Sequence, residues 1–136
     1  MNSIMGRHDA RIAVMRAAFS IDYDLDETVS SESVFDGLTL DKHDMNYFDK
    51  VIDGIKSNIS TIDETIKSCL KNWTIERLPK VDLAILQVAV YEIIYCEDIP
   101  VGATINEAVN IAKEYSTDDS GKFVNGVLSG VLKKVK

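Results

Sequence analysis

The residues best suited to bind an anionic ligand are three arginines near the N-terminus: Arg7, Arg11 and Arg16. Guanidinium groups hold phosphate oxygens through charge-assisted hydrogen bonds. With Asp9 as their only acid, residues 1–21 carry a formal charge of +2, whereas residues 22–64 carry −9 and residues 65–136 are balanced. The whole chain, at −7, does not have the charge of a general polyanion binder. A nucleic-acid site is therefore expected to be local, at this N-terminal edge.

Patterns for catalysis or metal binding are not found in this sequence. It contains no glycine-rich phosphate loop and no G-x-S-x-G elbow. His8 and His43 have no metal-ligand spacing, and the acidic run at residues 22–26 lacks the glycine and the glutamate of a calcium loop. Cys69 and Cys96 lie in apolar helical contexts, which favours buried thiols over a disulfide or a metal pair. We predict no catalytic residue and no metal site.

The elements that position the candidate residues are predicted to be helices, because apolar residues recur at three and four and no strand alternation is present. The central element is the stretch of residues 78–100, which is apolar on nearly every side and therefore predicts a buried helix. Gln87 and Glu92 interrupt it too strongly for a membrane span. Glu92 is expected to find an internal hydrogen-bond donor, because a buried unpaired carboxylate is costly.

Amphipathic helices are predicted on both sides of this central helix. The first runs from residue 7 to about residue 22 and turns its arginines towards solvent. Another runs over residues 41–58, with its first residue, an aspartate, as the cap. Thr104 and Glu107 have the spacing of a capping box that opens the next helix. The last helix is predicted from about residue 119 to residue 135.

Three blocks of sequence resemble, in their order and spacing, the NusB family of bacterial transcription antitermination factors: VDLAILQVAVYE, IPVGATINEAVNIAKEY and DDSGKFVNGVL. The resemblance implies an all-α fold, a NusB-like bundle of about seven helices, in a single domain over residues 1–136. An N-terminal helical subdomain of about residues 1–73 would pack against a C-terminal one of about residues 74–136. The resemblance also implies no cofactor and no catalysis, and the two thiols in apolar contexts favour a cytoplasmic location.

The same resemblance implies the partners of the protein. Relatives pair with NusE, a small-subunit ribosomal protein, and the two together bind boxA RNA of nascent ribosomal RNA transcripts. The RNA polymerase antitermination complex is the assembly in which they act, and no membrane is involved. The sequence leaves open whether the protein is a monomer or a homodimer.

By resemblance, the arginine-rich motif of the family falls on residues 7–11, which read RHDAR, with His8 and Asp9 where the family usually has more arginine. The RNA-binding residues so implied are Arg7, Arg11, Arg16, Asp119, Lys122, Phe123 and Asn125. Phe123 can alternatively belong to the core. Asp82 matches an acid that faces NusE, and its alternative role is a favourable interaction with the helix dipole.

Two functional hypotheses follow. The first is an RNA-binding antitermination factor that acts with NusE. The second is a protein-interaction adaptor of the same fold that has lost selective RNA binding, which His8 and Asp9 motivate because they remove positive charge from the motif. Selectivity for boxA-like RNA distinguishes the two. A version fused to a methyltransferase would need a chain that continues beyond Lys136.

Overall fold

The structure is a computed structural model that describes residues 3–22, 34–72 and 74–135, with the side chains of residues 3–7 and 21–22 outside the description. Within these ranges the chain is helical and contains no strand, as predicted. The described residues form six α-helices and one 3-10 turn, Ile75–Arg77, which is close to the predicted count. The α-helices are α1 (Ser3–Asp22), α2 (Lys42–Ser57), α3 (Ile59–Ser68), α4 (Lys80–Tyr95), α5 (Val101–Tyr115) and α6 (Asp118–Val135). None of the helices in the described ranges has the length and apolar character needed to cross a membrane.

Helix α4 is the predicted central helix, and it is buried along most of its length because its sequence is apolar on every side. All residues from 82 to 93 are buried. Helices α1, α2, α3, α5 and α6 all pack against it. Each fully buried Val, Leu or Ile contributes roughly 1.5–3 kcal/mol to the fold. The other helices are therefore held in place mainly through their contacts with α4.

Local capping explains where α2 begins but not where α5 begins. The backbone N–H of Asp44 donates to Asp41 Oδ1 at 2.9 Å, and the N–H of Asp41 donates to Asp44 Oδ2 at 3.2 Å, so the predicted cap is confirmed. The predicted capping box of Thr104 and Glu107 is wrong, because α5 begins at Val101. A proline precedes that residue, and its fixed φ suits the start of a helix. Thr104 therefore lies one turn inside α5, where its side chain is buried.

Helices α5 and α6 form an antiparallel hairpin joined by Ser116 and Thr117. Thr117 Oγ1 accepts a hydrogen bond from the backbone N–H of Ser120 at 3.0 Å, which satisfies one of the free donors in the first turn of α6. Helix α1 packs against α2 and α4. Because α4 contacts helices from both halves of the chain, it joins the two predicted subdomains, whose division near residue 73 stays a prediction.

Candidate nucleic-acid and partner interface

Arg11 lies inside the protein, where it is paired with Glu92 of the central helix. Its Nε and Nη2 atoms each donate to a carboxylate oxygen of Glu92 at 2.9 Å. Only 6% of the Arg11 side chain and 0% of the Glu92 side chain are exposed. Tyr47 and Thr104 donate their hydroxyls to the same carboxylate, Thr104 at 2.8 Å. The expected internal donor to Glu92 is therefore confirmed, whereas the predicted solvent-facing position of Arg11 is wrong.

The position of Arg11 has a clear electrostatic cause. Burial lowers the pKa of Arg11, but the hydrogen bonds and the charge of Glu92 raise it by more, so the guanidinium stays charged. Burial, together with Glu92, raises the pKa of Tyr47 well above its ordinary value, and its hydroxyl therefore stays a donor. A guanidinium enclosed in this way has to leave Glu92 before it can meet a phosphate. The geometry does not support the RNA contact implied for Arg11.

His8 and Asp9, the two departures from arginine in the N-terminal motif, both have partners within the protein. His8 Nδ1 lies 2.8 Å from Glu107 Oε2, and His8 Nε2 lies 3.6 Å from Glu114 Oε1. Partial burial lowers the pKa of His8, but the two glutamates raise it by more, to above 6.5. Asp9 accepts a hydrogen bond from the backbone N–H of Thr39 at 3.0 Å. These contacts attach α1 to α5 and to the segment that precedes α2.

Arg16 lines a surface cleft and holds two other parts of the protein together. Its Nη1 donates to the backbone oxygens of Val34 at 3.1 Å and Asp36 at 2.7 Å, and its Nη2 donates to the Tyr115 hydroxyl at 3.0 Å. The Arg16 guanidinium carbon lies 5.9 Å from the centre of the Tyr115 ring. With Phe19, these two side chains line a cleft of about 330 Å³, which we name the Arg16 cleft. Guanidinium and aromatic groups at one surface can stack with an unpaired base.

Asp82 lines a second cleft, of about 230 Å³, which it shares with Asp119, Ser120 and Phe123 and which we name the Asp82 cleft. Asp82 is 3% exposed, and its Oδ2 accepts a hydrogen bond from Ser120 Oγ at 3.3 Å. Its Oδ1 is buried and has no hydrogen-bond partner among the described residues. Burial raises the pKa of Asp82, and the Ser120 bond only partly opposes this. Phe123 packs against the core, which agrees with its alternative interpretation, and it also lines the cleft; its RNA contact stays a prediction.

The remaining implied RNA-binding residues do not share these clefts. Lys122 and Asn125 line a groove between α5 and α6, on another face of α6. The side chain of Arg7 lies outside the described part of the chain. Tyr115 lines the Arg16 cleft although the sequence did not single it out. No local signal could have identified it, because its partner Arg16 is 99 residues away.

Neither cysteine forms a disulfide: Cys96 is buried and Cys69 is half-buried. No group of three or more His, Cys, Asp or Glu side chains suited to a metal ion occurs among the residues that the structure describes. The acidic run at residues 22–26 falls almost entirely outside those residues.

Comparison with known proteins gives consistent matches over most of the chain. The family model described as NusB family matches residues 8–133. A transcription antitermination protein NusB from Clostridium botulinum is 45% identical over 106 residues, which are 78% of this chain and 74% of the relative. The solved structure of T. maritima NusB is 39% identical with a TM-score of 0.81, covering 94% of this chain and 91% of that one. A structure of the antitermination factors NusB and NusE in complex with dsRNA is 27% identical with a TM-score of 0.74, covering 98% of this chain and 99% of that one.

Proposed function

The chain belongs to the NusB family, and from that membership we propose that it is a transcription antitermination factor that binds boxA RNA together with NusE. In this role it helps RNA polymerase resist termination on ribosomal RNA transcripts. The related complex of NusB and NusE with dsRNA supports both partners. We also propose that the protein catalyses no reaction and acts in the cytoplasm, where transcription takes place in bacteria.

The observation that carries this proposal is the adjacency of the Arg16 cleft and the Asp82 cleft. Val81 lines the first cleft and Asp82, the next residue of α4, lines the second. In the same way, Tyr115, the last residue of α5, lines the Arg16 cleft, and Thr117, two residues further on, lines the Asp82 cleft. The two clefts therefore lie next to each other at the first turn of α4, which supports an RNA contact and a protein contact side by side.

The Arg16 cleft is suited to an unstacked RNA base. Sequence-specific RNA recognition uses bases that are splayed out of a single strand and stacked on aromatic rings or guanidinium planes. Arg16, Phe19 and Tyr115 supply such groups. The bonds from Arg16 to two backbone oxygens and to Tyr115 fix the guanidinium before RNA arrives, which lowers the entropic cost of binding.

The Asp82 cleft is suited to a hydrogen-bond donor from NusE. A buried carboxylate oxygen without a partner is costly until it accepts a hydrogen bond. Leu78, Pro79 and Phe123 surround Asp82 with apolar surface, which fits the hydrocarbon stem of a basic side chain whose charged end meets the carboxylate. An acidic chain also favours a basic protein partner.

Two binding measurements test the proposal. Fluorescence anisotropy with a boxA-like RNA and a scrambled control, with and without NusE, should give selective binding that NusE strengthens and salt weakens. Equal binding to both RNAs would refute the RNA function. The substitution Tyr115→Leu should weaken boxA binding several-fold, because it removes a stacking surface at a site that is 37% exposed. The exposed Tyr95, also 37% exposed, provides the matched control Tyr95→Leu, which should leave RNA binding unchanged.

The partner role of Asp82 has its own test. Asp82→Asn should weaken NusE binding about tenfold or more, because a hydrogen bond to a charged group contributes roughly 1.5–3 kcal/mol. The free energy of unfolding should fall by no more than about 1 kcal/mol, since the amide oxygen of asparagine can still accept the Ser120 hydrogen bond and the favourable interaction of the charge with the helix dipole is what is lost. Asp53→Asn, at an exposed position of α2, is the matched control. Unchanged NusE affinity in Asp82→Asn would contradict the assignment.

The adaptor without selective RNA binding is the second candidate, and one observation favours it. His8 and Asp9 both have internal partners, so the start of α1 offers less free positive charge than an all-arginine motif would. Normal NusE binding without boxA selectivity would support this candidate. The double substitution His8→Arg with Asp9→Arg should then restore RNA binding.

A further inference from the structure

A second polar surface lies between α5 and α6, away from the two clefts. We name it the α5–α6 groove; it encloses about 470 Å³. Five polar side chains line it: Asn106, Lys113, Lys122, Asn125 and Ser129. At 100° per residue, the side of α6 that carries Lys122, Asn125 and Ser129 is turned by roughly 100° from the side that carries Asp119 and Phe123. The groove is therefore distinct from the Asp82 cleft, although both are built on the first turns of α6.

The groove concentrates unpaired positive charge in an acidic protein. Two lysines line it and no aspartate or glutamate does. Neither Lys113 nor Lys122 forms an ion pair or a side-chain hydrogen bond with any residue that the structure describes. The chain as a whole carries 22 acidic and 15 basic residues, so two lysines without acidic partners in one groove produce a local potential that favours an anion.

Gly121 determines where the Lys113 side chain lies. A Cβ atom at residue 121 would stand 2.8 Å from Lys113 Cγ and 3.1 Å from its Cε. The aliphatic stem of Lys113 therefore packs against α6 at Gly121, where the missing side chain gives it room. Lys113 lines the groove together with Lys122.

We infer that the α5–α6 groove binds the phosphate backbone of RNA and that Lys113, held by Gly121, is a phosphate contact. This inference rests on the proposed function and extends it, because it adds a second RNA-binding surface next to the two clefts. Lysine ammonium groups bind phosphates as point charges, and asparagine amides can meet base edges as both donors and acceptors. Lys122 of the groove is the sequence neighbour of Phe123, which lines the Asp82 cleft. An RNA strand that crosses the first turns of α6 can therefore reach both surfaces.

Two pairs of variants test the groove. Lys113→Gln removes the charge, and Lys133→Gln removes a charge from an exposed lysine at the other end of α6. Gly121→Ala keeps every charge but displaces the Lys113 stem, whereas Gly126→Ala adds a methyl group where no atom lies within 4 Å. Binding of boxA-like and scrambled RNA is measured by anisotropy over a series of salt concentrations, with and without NusE. NusE binding is measured separately without RNA.

For Lys113→Gln we expect a several-fold loss of RNA affinity and a salt slope that is less steep by about 0.7, the value for one phosphate contact on a single strand. Gly121→Ala should lose RNA affinity, while both control variants bind like the wild type. If wild-type protein binds RNA selectively but Lys113→Gln resembles Lys133→Gln, the groove is refuted and the proposed function stands.

Other outcomes separate the two proposals. If wild-type protein does not prefer boxA but Lys113→Gln still reduces the salt slope with the scrambled RNA, the proposed function fails and the groove stands. If Lys113→Gln weakens NusE binding in the absence of RNA and leaves RNA binding unchanged, the groove is a protein-docking surface and the inference is overturned. Absence of any RNA binding refutes both.

Discussion

Substitution of Glu92 by glutamine is the sharpest test of how the N-terminal helix is attached to the core. The Glu92 carboxylate accepts two hydrogen bonds from Arg11, one from Tyr47 and one from Thr104. Glutamine has nearly the same shape, so packing is retained. The charge that offsets the buried guanidinium is lost, and an amide N–H₂ group takes the place of one acceptor.

The expected cost follows from the burial of the pair. Removing one partner of a buried ion pair costs about 3–5 kcal/mol, because the other charge is left without compensation. For a domain of this size that lowers the melting temperature by roughly 10–20 °C. Tyr47→Phe should cost less, roughly 1.5–3 kcal/mol, since Glu92 keeps its bonds from Arg11 and Thr104.

Denaturant unfolding and thermal melts measure these costs, and a double-mutant cycle isolates the pair. Arg11→Met combined with Glu92→Met should lose less stability than either single substitution, because no charge is left buried alone. Glu64→Gln is the matched control: its carboxylate is 75% exposed and pairs with Lys67 at 3.8 Å, so it should cost less than about 1 kcal/mol. A Glu92→Gln variant as stable as Glu64→Gln would refute the reasoning.

The same cycle tests the function of Arg11. If Arg11 supports α1 and does not touch phosphate, the Arg11→Met, Glu92→Met protein should keep the wild-type salt slope for RNA binding wherever it remains folded. A slope less steep by about 0.7 would instead restore the direct RNA contact that the family resemblance implies.

Two further perturbations have definite expected outcomes. The pKa of His8 is raised above 6.5 in the folded protein by Glu107. The stabilising contribution of His8 is therefore full below that value and is lost as the pH rises through the folded pKa. The stability lost in His8→Gln, measured by denaturant unfolding, should be larger at about pH 6 than at about pH 8, and an equal loss at both pH values would contradict the ion pair. Gly54→Ala should destabilise the fold by about 1–3 kcal/mol, because the new Cβ would lie 2.3 Å from the Tyr91 ring. Gly126→Ala, in open space, should be neutral or stabilising in the same unfolding assay, and equal effects would contradict the close contact of α2 with α4.

The sequence by itself determined the helical class, the central helix and much of the helix pattern. These features follow from local periodicity, which fixes which side of a helix is apolar. The continuous apolar character of residues 82–93 predicted a helix with no solvent-facing side, and all of them are buried. The cap at Asp41 was likewise predictable, because its partner Asp44 lies three residues away.

Only the tertiary structure decided which polar residues face solvent and which share a site. The need of Glu92 for a donor was evident from its apolar neighbours, but Arg11 is 81 residues away, and nothing local identifies it as the donor. The helical pattern predicted a solvent-facing Arg11 because burying a lone charge is costly. The Glu92 carboxylate, which comes from another helix, removes that cost. The Asp82 cleft contains Asp119 and Phe123 of α6, whereas Lys122 of the same helix lines the α5–α6 groove. This division arises because α6 packs against both α4 and α5. Sequence periodicity sets the faces of each helix, and the neighbour that each face meets is fixed only when the helices pack.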